Sequence, residues 1–538
     1  KYCVQDCALL ISLILRLQIL PANVEMSRVT LTPMEALVTR GQQFKVMNQL
    51  VNHGHRDGRD EDGNGGYVLN TPDKFSGDPD DSYEGATVID AKASYYTEPI
   101  AVLDFMSLYP SIMMANNFCF STLVLNESYI NIPGVEYEVI KVTDKKIYTW
   151  AKGMPGLLPT MLEKLLAARK IAKKAKSNAK TPEEKAVMDA RQLALKISAN
   201  SIYGFTGAVK MGKYHCLAVA DSTTCKARDM LNQTQVWVKE LYDCDVVYGD
   251  TDSIMVKFTN IDTIEKSFEL GDKASEKITQ MFSEKYNTKK IVLEMEKVYY
   301  PYLLMGKKRY AGLMYEKNND NEIKLSYLDA KGIELVRRDN CPIAKSVQKD
   351  VLDALMYKID KELACEYVHE HMKKIVNNTI PLSDYKMSKS RRKDYINEDL
   401  PHIAVVKKMK QRDPGSEPQI GDRVPFILIE TKDLKAKTFE KAEDPKYIEQ
   451  HNLKVDRLYY TEHQIVNPIC SLLKLVISDP AALFQEHLRE LRLQRTDQVD
   501  VTDFNKGDEK ASQSFEEKMM NLSASTMRIP IPKKRRKK

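Results

Sequence analysis

The sequence predicts an α+β chain, and three features carry that expectation. An apolar run, Pro99-Ile100-Ala101-Val102-Leu103, reads as a buried strand that delivers Asp104 at its end. A second acidic string, Tyr248-Gly249-Asp250-Thr251-Asp252-Ser253, sits between Val246-Val247 and Ile254-Met255-Val256 and reads as the tip of a β-hairpin. Between these strands, Leu158 to Tyr203 has the periodicity of two long helices, and from Lys331 to about Arg495 the pattern is mostly helical. Strand segments thus flank a helical pair, and a helix-rich stretch follows them.

Taken in order, Lys1 to Cys7 runs straight into an amphipathic helix, with Tyr2 and Asp6 four apart on one face. Asn23 to Val51 reads as helical. Asn52 to Ser82 is rich in Gly, Asp and Asn and reads as a loop or insertion. Strand character resumes at Ala86-Thr87-Val88-Ile89-Asp90. The helical pair spans about Pro159 to Ser177, turns at Asn178-Ala179-Lys180, and restarts with Thr181 as cap, Pro182 in the first position and Glu184 completing a capping box. Gly204 is expected to stop the second helix. Beyond Lys331, loops are expected around Lys386 to Asn397 and Gln411 to Asp422, and a polar tail ends in Lys533-Lys534-Arg535-Arg536-Lys537-Lys538. That tail reads as disordered, and as a nuclear import signal, a DNA tether or neither.

At 538 residues the chain is too long for one core. The longest apolar stretch near the start, Ala8 to Leu20, carries Arg16 and Gln18 and is too short to span a bilayer, so no membrane partner is expected. Nine cysteines without a Cys-x-x-Cys pair argue against structural zinc and a disulfide scaffold. A net charge of +6 is too small to identify a nucleic-acid partner, so local clusters must do so.

Asp250 and Asp252 are two apart, hence on one face of an extended segment. If their strand neighbours that of Asp104, three carboxylates converge, and each unpaired pair repels by about 1–4 kcal/mol at about 4 Å. A cation must sit between them, and hard oxygen ligands favour Mg²⁺ or Mn²⁺. The alternative is that the aspartates are ordinary turn residues. On the helical pair, Arg169 and Lys173 are four apart, and Gln192, Lys196, Asn200 and Tyr203 repeat at four, four and three, making one stripe. The neighbouring lysines are equally consistent with a solvated face. Gly306-Lys307-Lys308-Arg309-Tyr310 is a third cluster, between apolar strands.

Asp104-Phe105-Met106-Ser107-Leu108-Tyr109-Pro110-Ser111 and the Asp250/Asp252 string resemble motifs A and C of the family B DNA polymerases. Lys196-Ile197-Ser198-Ala199-Asn200-Ser201-Ile202-Tyr203-Gly204 resembles their motif B. The resemblance implies DNA-directed DNA synthesis by two-metal nucleotidyl transfer, with two Mg²⁺ ions for which Mn²⁺ can substitute. Asp104 and Asp252 would bridge both metals, the Phe105 carbonyl would add a ligand, and Asp250 would support the site. Arg169, Lys173 and Lys196 would hold the triphosphate, with the Ser107 and Leu108 amides on phosphate oxygens and Asn200 and Tyr203 completing the nucleotide site. Tyr109 would lie under the deoxyribose and exclude a 2′-hydroxyl. Lys308, Arg309 and Tyr310 resemble the Lys-x-Tyr element that contacts the primer terminus, and Lys331 and Lys389 would meet duplex phosphates. Tyr2 and Asp6 resemble the third exonuclease motif.

The resemblance also implies a right-hand architecture with an antiparallel-sheet palm, two-helix fingers and a mostly helical thumb. The expected divisions are 1–22, the end of a 3′–5′ exonuclease domain; 23–157, connecting helices, insertion and first part of the palm; 158–204, fingers; 205–325, second part of the palm; 326–495, thumb; and 496–538, tail. Primer–template DNA and deoxynucleoside triphosphates are the expected partners, with a sliding clamp or accessory subunit as a further one, in a nucleus or a viral replication compartment. The sequence looks like the C-terminal portion of a longer enzyme of the delta-like branch. Cellular delta subunits end in paired cysteine clusters, and no cysteine follows Cys470, which favours a large eukaryotic DNA virus as source. Two other readings stand beside this one: an inactive DNA-binding homologue, and a 3′–5′ exonuclease once joined to further sequence. A reverse transcriptase would also use paired aspartates, but the helical pair does not suit it.

Overall fold

The computed structural model describes residues 2–57, 66, 83–208, 214–318, 320–431, 433 and 435–496. Two compact units divide the chain, Lys1–Lys331 and Gly332–Lys538.

The first unit opens with helices α1 (Tyr2–Arg16), α2 (Ile19–Thr30), α3 (Met34–Thr39) and α4 (Gln42–Asp57). Then follow β1 (Val88–Ile89), β2 (Ser94–Tyr96), β3 (Ile100–Phe105), α5 (Leu108–Asn116), β4 (Glu136–Lys141) and β5 (Ile147–Lys152). Helices α6 (Leu157–Asn178), α7 (Pro182–Thr206) and α8 (Leu217–Leu241) lead to the hairpin β6 (Cys244–Asp250) and β7 (Ser253–Phe258). After α9 (Ile264–Tyr286) come β8 (Leu293–Gly306), β9 (Arg309–Lys317) and β10 (Ile323–Lys331). One antiparallel sheet orders these strands β1-β6-β7-β3-β8-β9-β10, with β2 also on β8.

Strand β3 is buried on both faces, as its unbroken apolar run requires. Ala101, Leu103 and Phe105 pack in the larger core with side chains of α5, α8 and α9, whereas Ile100 and Val102 face Tyr248, Tyr299 and Tyr302. Asp104 is next in the alternation after Val102, so it leaves the sheet on the tyrosine side. Gly249 in β6 is needed for close packing against β1, because a Cβ there would lie 2.6 Å from Ile89 Cδ1.

Several expectations change. Helix α4 continues through Asp57, so 52–57 is helical rather than loop, and 58–65 and 67–82 lie outside the described residues. Helix α2 runs across the 22/23 division. Gly204 does not stop α7, which ends at Thr206 with Gly207 as its cap. The helical pair also contributes to the core, where Leu158, Met161, Leu162, Leu195, Ala199 and Ile202 at its sheet-proximal end are buried. Residues 326–331 belong to β10 and the first unit.

The second unit contains α10 (Pro342–Asp353), α11 (Lys361–Val376), β11 (Met387–Ser390), α12 (Pro401–Arg412), β12 (Arg423–Leu428), β13 (Ala442–Glu443), α13 (Pro445–His451), α14 (Arg457–Tyr459), α15 (Asn467–Leu473) and α16 (Ala482–Thr496). It is mostly helical, as expected, but β11-β12-β13 form an antiparallel sheet and Met387–Ser390 is strand rather than loop. That strand is short and polar, so its place is set by pairing with the apolar β12 and not by its own pattern. The tail from 497, with its basic end, lies outside the described residues. Among the described residues no single helix is long and apolar enough to cross a membrane, though α1 and α2, bent by 46°, pass together by length and composition. All nine cysteines are free.

Candidate functional site

The two acidic strings meet because β3 and β7 are antiparallel neighbours, with Asp104 opposite Ser253. The Phe105 N–H donates to the Asp252 carbonyl at 2.9 Å, tying the end of β3 to the hairpin turn. In that turn Thr251 takes a left-handed backbone (φ 63°), and the Asp252 N–H reaches the Asp250 carbonyl at 2.7 Å. The segment is therefore not extended at Thr251, and the two-residue alternation expected from sequence does not govern where the carboxylates go.

Asp104 and Asp252 form the electrostatic centre. Burial, then Asp252 and Glu296, push the Asp104 carboxyl up to about 8. Asp252 is also pushed up, by burial first, with Asp250 and Glu296 adding and Lys196 opposing. Neither carboxylate has a salt-bridge partner among the described residues. Glu294, opposite Asp104 in the β3–β8 register, and Glu296 enlarge the acidic field. Sequence reasoning missed both, although two glutamates at strand spacing in Leu293-Glu294-Met295-Glu296 were a legible signal.

Asp250, which also acts on Asp252, is bound to other groups. The Lys308 ammonium lies 2.7 and 2.8 Å from its two oxygens, and the Thr251 hydroxyl donates to it at 3.0 Å. Of the three carboxylates, Asp250 is thus the one with a cation partner, and among the described residues no group of three or more His, Cys, Asp or Glu is arranged to hold a metal ion.

The raised Asp104 carboxyl has a stability consequence. Between 3.8 and about 8 the folded chain holds a proton there that the unfolded chain has released. Stability from this group is therefore lost as pH rises through that window. In divalent-free buffer, Asp104→Asn is expected to raise Tm at pH 8 and to match the parent at pH 4. Equal Tm differences at both pH values would contradict this.

Opposite the acids stand α6 and α7. Thr181 caps α7 by accepting from the Glu184 N–H at 3.1 Å, and the Glu184 carboxylate accepts from the Lys180 N–H, one residue short of the expected capping box. Burial, then Arg169, with Lys196 and Lys176 adding, hold the Lys173 ammonium below its usual range. Arg169 is lowered by burial, against the pull of Glu294, and its Nε is buried without a hydrogen-bond partner. Arg169, Lys173 and Lys196 therefore form one cationic cluster within electrostatic reach of the acids. Asn200 is exposed one turn beyond Lys196.

Tyr109 and Tyr203 meet with ring centroids 4.3 Å apart. Tyr83, which the sequence reading did not single out, packs edge-on at 6.4 Å to Tyr203. A Cβ at Gly207 would stand 2.7 Å from the Tyr83 hydroxyl, so this glycine permits the contact. Arg228 fastens the strap after Tyr83 through the carbonyls of Glu84 and Gly85, both at 3.0 Å. Ser107 (φ 51°) and Leu108 open α5, where backbone N–H groups lack intrahelical partners.

Lys307 and Lys308 form the β8–β9 turn. Lys307 bonds the Val88 carbonyl at 3.1 Å and pairs with Asp90 at 2.7 Å. Arg309 begins β9, and Tyr310 is half-buried among Tyr248, Tyr299 and Tyr302. Lys331 lies opposite Tyr310 and pairs with Asp329 at 2.9 Å, so it belongs to the same sheet rather than to the second unit. Lys389 is exposed on β11. Asp6 is exposed on α1, which starts at Tyr2.

The sequence matches the profile of DNA polymerase family B over residues 32–476. DNA polymerase delta catalytic subunits are similar: that of Drosophila melanogaster is 39% identical over 503 residues, covering 91% of this chain and 44% of that protein. The Arabidopsis thaliana subunit is 40% identical over 506 residues, again 91% and 44%. The chain thus spans less than half the length of these relatives. The family B DNA polymerase from the archaeon Pyrobaculum calidifontis superposes with a TM-score of 0.59 at 25% identity, over 86% of this chain and 55% of that one. With most of its length inside the family profile, this chain belongs to DNA polymerase family B.

Proposed function

We propose that this chain performs template-directed DNA synthesis, adding deoxynucleoside triphosphates to a primer 3′ end. The observation that carries the reading is the half-buried Asp104/Asp252 pair, with no salt-bridge partner among the described residues, opposite the Arg169–Lys173–Lys196 cluster. A triphosphate with divalent cations complements both halves. The donor set fits such ions, because hard carboxylate oxygens held up by burial and by neighbouring acids gain most from one. Asp104, Asp252 and the Phe105 carbonyl would hold them, two Mg²⁺ with Mn²⁺ as substitute. Bound there, they would polarise the α-phosphate and activate the primer oxygen.

In this reading Arg169, Lys173 and Lys196 neutralise the triphosphate, and the Ser107 and Leu108 amides at the start of α5 bind its oxygens. Tyr109, braced by Tyr203, lies beneath the sugar, with Asn200 beside it. Lys308, Arg309, Tyr310 and Lys331 face the primer terminus, and Lys389 meets duplex phosphate. The sheet is the palm, α6 and α7 the fingers, residues from Gly332 the thumb, and α1 the end of an exonuclease domain whose motif includes Tyr2 and Asp6. The substrates are primer–template DNA and deoxynucleoside triphosphates, a clamp or accessory subunit is the further partner, and the nucleus or a viral replication compartment is the location.

Lys196→Ala is expected to raise the KM for nucleotide by about 10–100-fold, the value of a charge-assisted contact of about 1.5–3 kcal/mol. Steady-state single-nucleotide incorporation measures it. An unchanged KM removes Lys196 from this role.

A further inference from the structure

The second unit holds a cavity of about 590 Å³, large enough for a few residues of peptide. Its walls follow from the local chain. After α13 the chain turns at Asn452, whose left-handed backbone (φ 49°) sends Leu453–Asp456 back along the end of β12. There the Glu430 N–H donates to the Lys454 carbonyl at 2.9 Å, and the Asp456 N–H to the Leu428 carbonyl at 3.0 Å. Ile380, Leu382, Ile448 and Leu453 supply apolar lining, and Tyr385 lines the cavity with them. Tyr385 is 1% exposed and meets Tyr460 edge-on at 5.0 Å, and its hydroxyl has no hydrogen-bond partner among the described residues. Burial, against the pull of Arg457, holds that hydroxyl above its usual pKa range, so it keeps its proton as a donor. A buried donor without an acceptor is costly, and an acceptor brought by a ligand relieves that cost. Charge is also uneven around the cavity. Arg457 is committed to the Ile375 and Val376 carbonyls at 3.0 and 2.8 Å, closing α11. Glu430, Glu449 and Lys454 have no salt-bridge partner among the described residues, so two carboxylates face one uncommitted ammonium.

We propose that this cavity is a docking site for a short peptide segment of a partner protein, one that carries an aliphatic side chain beside a lysine or arginine. The aliphatic group packs against Ile380, Leu382, Ile448 and Leu453, a backbone carbonyl accepts from the Tyr385 hydroxyl, and the basic side chain meets Glu430 and Glu449. A peptide offers a carbonyl at every residue, which suits a lone donor set among apolar side chains. A nucleic-acid strand is a poorer match, because the two carboxylates repel its phosphates. The cavity lies wholly in the second unit and shares no residue with the acidic pair or the cationic cluster, so peptide docking is independent of DNA synthesis.

The test is selection of a random heptapeptide phage library on the full chain, with counter-selection on the near-isosteric triple variant Tyr385→Phe, Glu430→Gln, Glu449→Gln. Enriched peptides are then synthesised with a fluorescent label and titrated by anisotropy. The titrated proteins are the parent, Tyr385→Phe and the double variant Glu430→Gln, Glu449→Gln, each checked by circular dichroism to melt as the parent does. Enriched sequences should place an aliphatic residue beside Lys or Arg. Their binding should weaken about tenfold in the glutamate variant and about threefold in Tyr385→Phe. Changing the peptide's Lys or Arg to Gln should cost the parent as much as the glutamate substitutions do. No enrichment over the triple variant, enrichment of acidic sequences, or equal affinity for the parent and both variants would overturn the assignment. Stoichiometric displacement of the labelled peptide by single-stranded DNA would also overturn it, by making nucleic acid the occupant.

Discussion

Asp252→Asn should lower the rate of primer extension by about 10³-fold or more, the effect of removing roughly 4 kcal/mol of transition-state stabilisation, while leaving the chain folded. The fold is not expected to suffer, because Asp252 supports its strand through its backbone carbonyl, which accepts from Phe105, and not through its carboxylate. Asparagine has the same shape and relieves the repulsion that burial and nearby acids impose on this group. Stability and rate should therefore move apart: circular dichroism melting unchanged or raised, rapid-quench incorporation abolished. Incorporation at the parent rate by folded Asp252→Asn would exclude it from the chemistry.

Tyr109→Ala should raise ribonucleotide incorporation relative to deoxyribonucleotide by about 10²-fold, since an enclosed site discriminates sharply when a specific group is met or blocked. The ring cannot easily give way. It stands in the first turn of α5, next to the left-handed Ser107, with Tyr203 at 4.3 Å and Tyr83 behind that ring. Truncating Tyr203 or Tyr83 should loosen the same gate to a smaller degree, because each acts on Tyr109 through a neighbour. Competition between labelled dCTP and CTP opposite a template guanine reads the ratio. A ratio equal to the parent's would show that discrimination lies elsewhere.

How much of this was legible in the sequence depends on how local each signal is. The run from Pro99 to Leu103 announced β3, and Thr181-Pro182 with Glu184 announced the start of α7, because both depend on residues within a few positions. The pairing of the two strand ends, with Asp104 opposite Ser253, was legible in the two strand-end strings. The fate of Asp250 was not, because Lys308 is 58 positions away and only the folded sheet brings it close. Tyr83 escaped notice for a similar reason: it has no local periodicity, and what recruits it is the missing side chain at Gly207. Gly204 was read as a helix stop because glycine usually is one, yet packing of Ile202 and Phe205 carries α7 past it. The short strand β11 likewise owes its form to β12.

The central claim is that these elements together copy DNA, and a primer-extension assay with the purified chain tests it most directly. Given Mg²⁺, all four deoxynucleoside triphosphates and a 5′-labelled primer on a DNA template, the chain should add the nucleotides the template dictates. Omitting one triphosphate should stop synthesis at the first position that requires it, and EDTA should abolish addition. A folded chain that binds the primer–template but adds no nucleotide, or adds nucleotides without regard to template, would contradict the account.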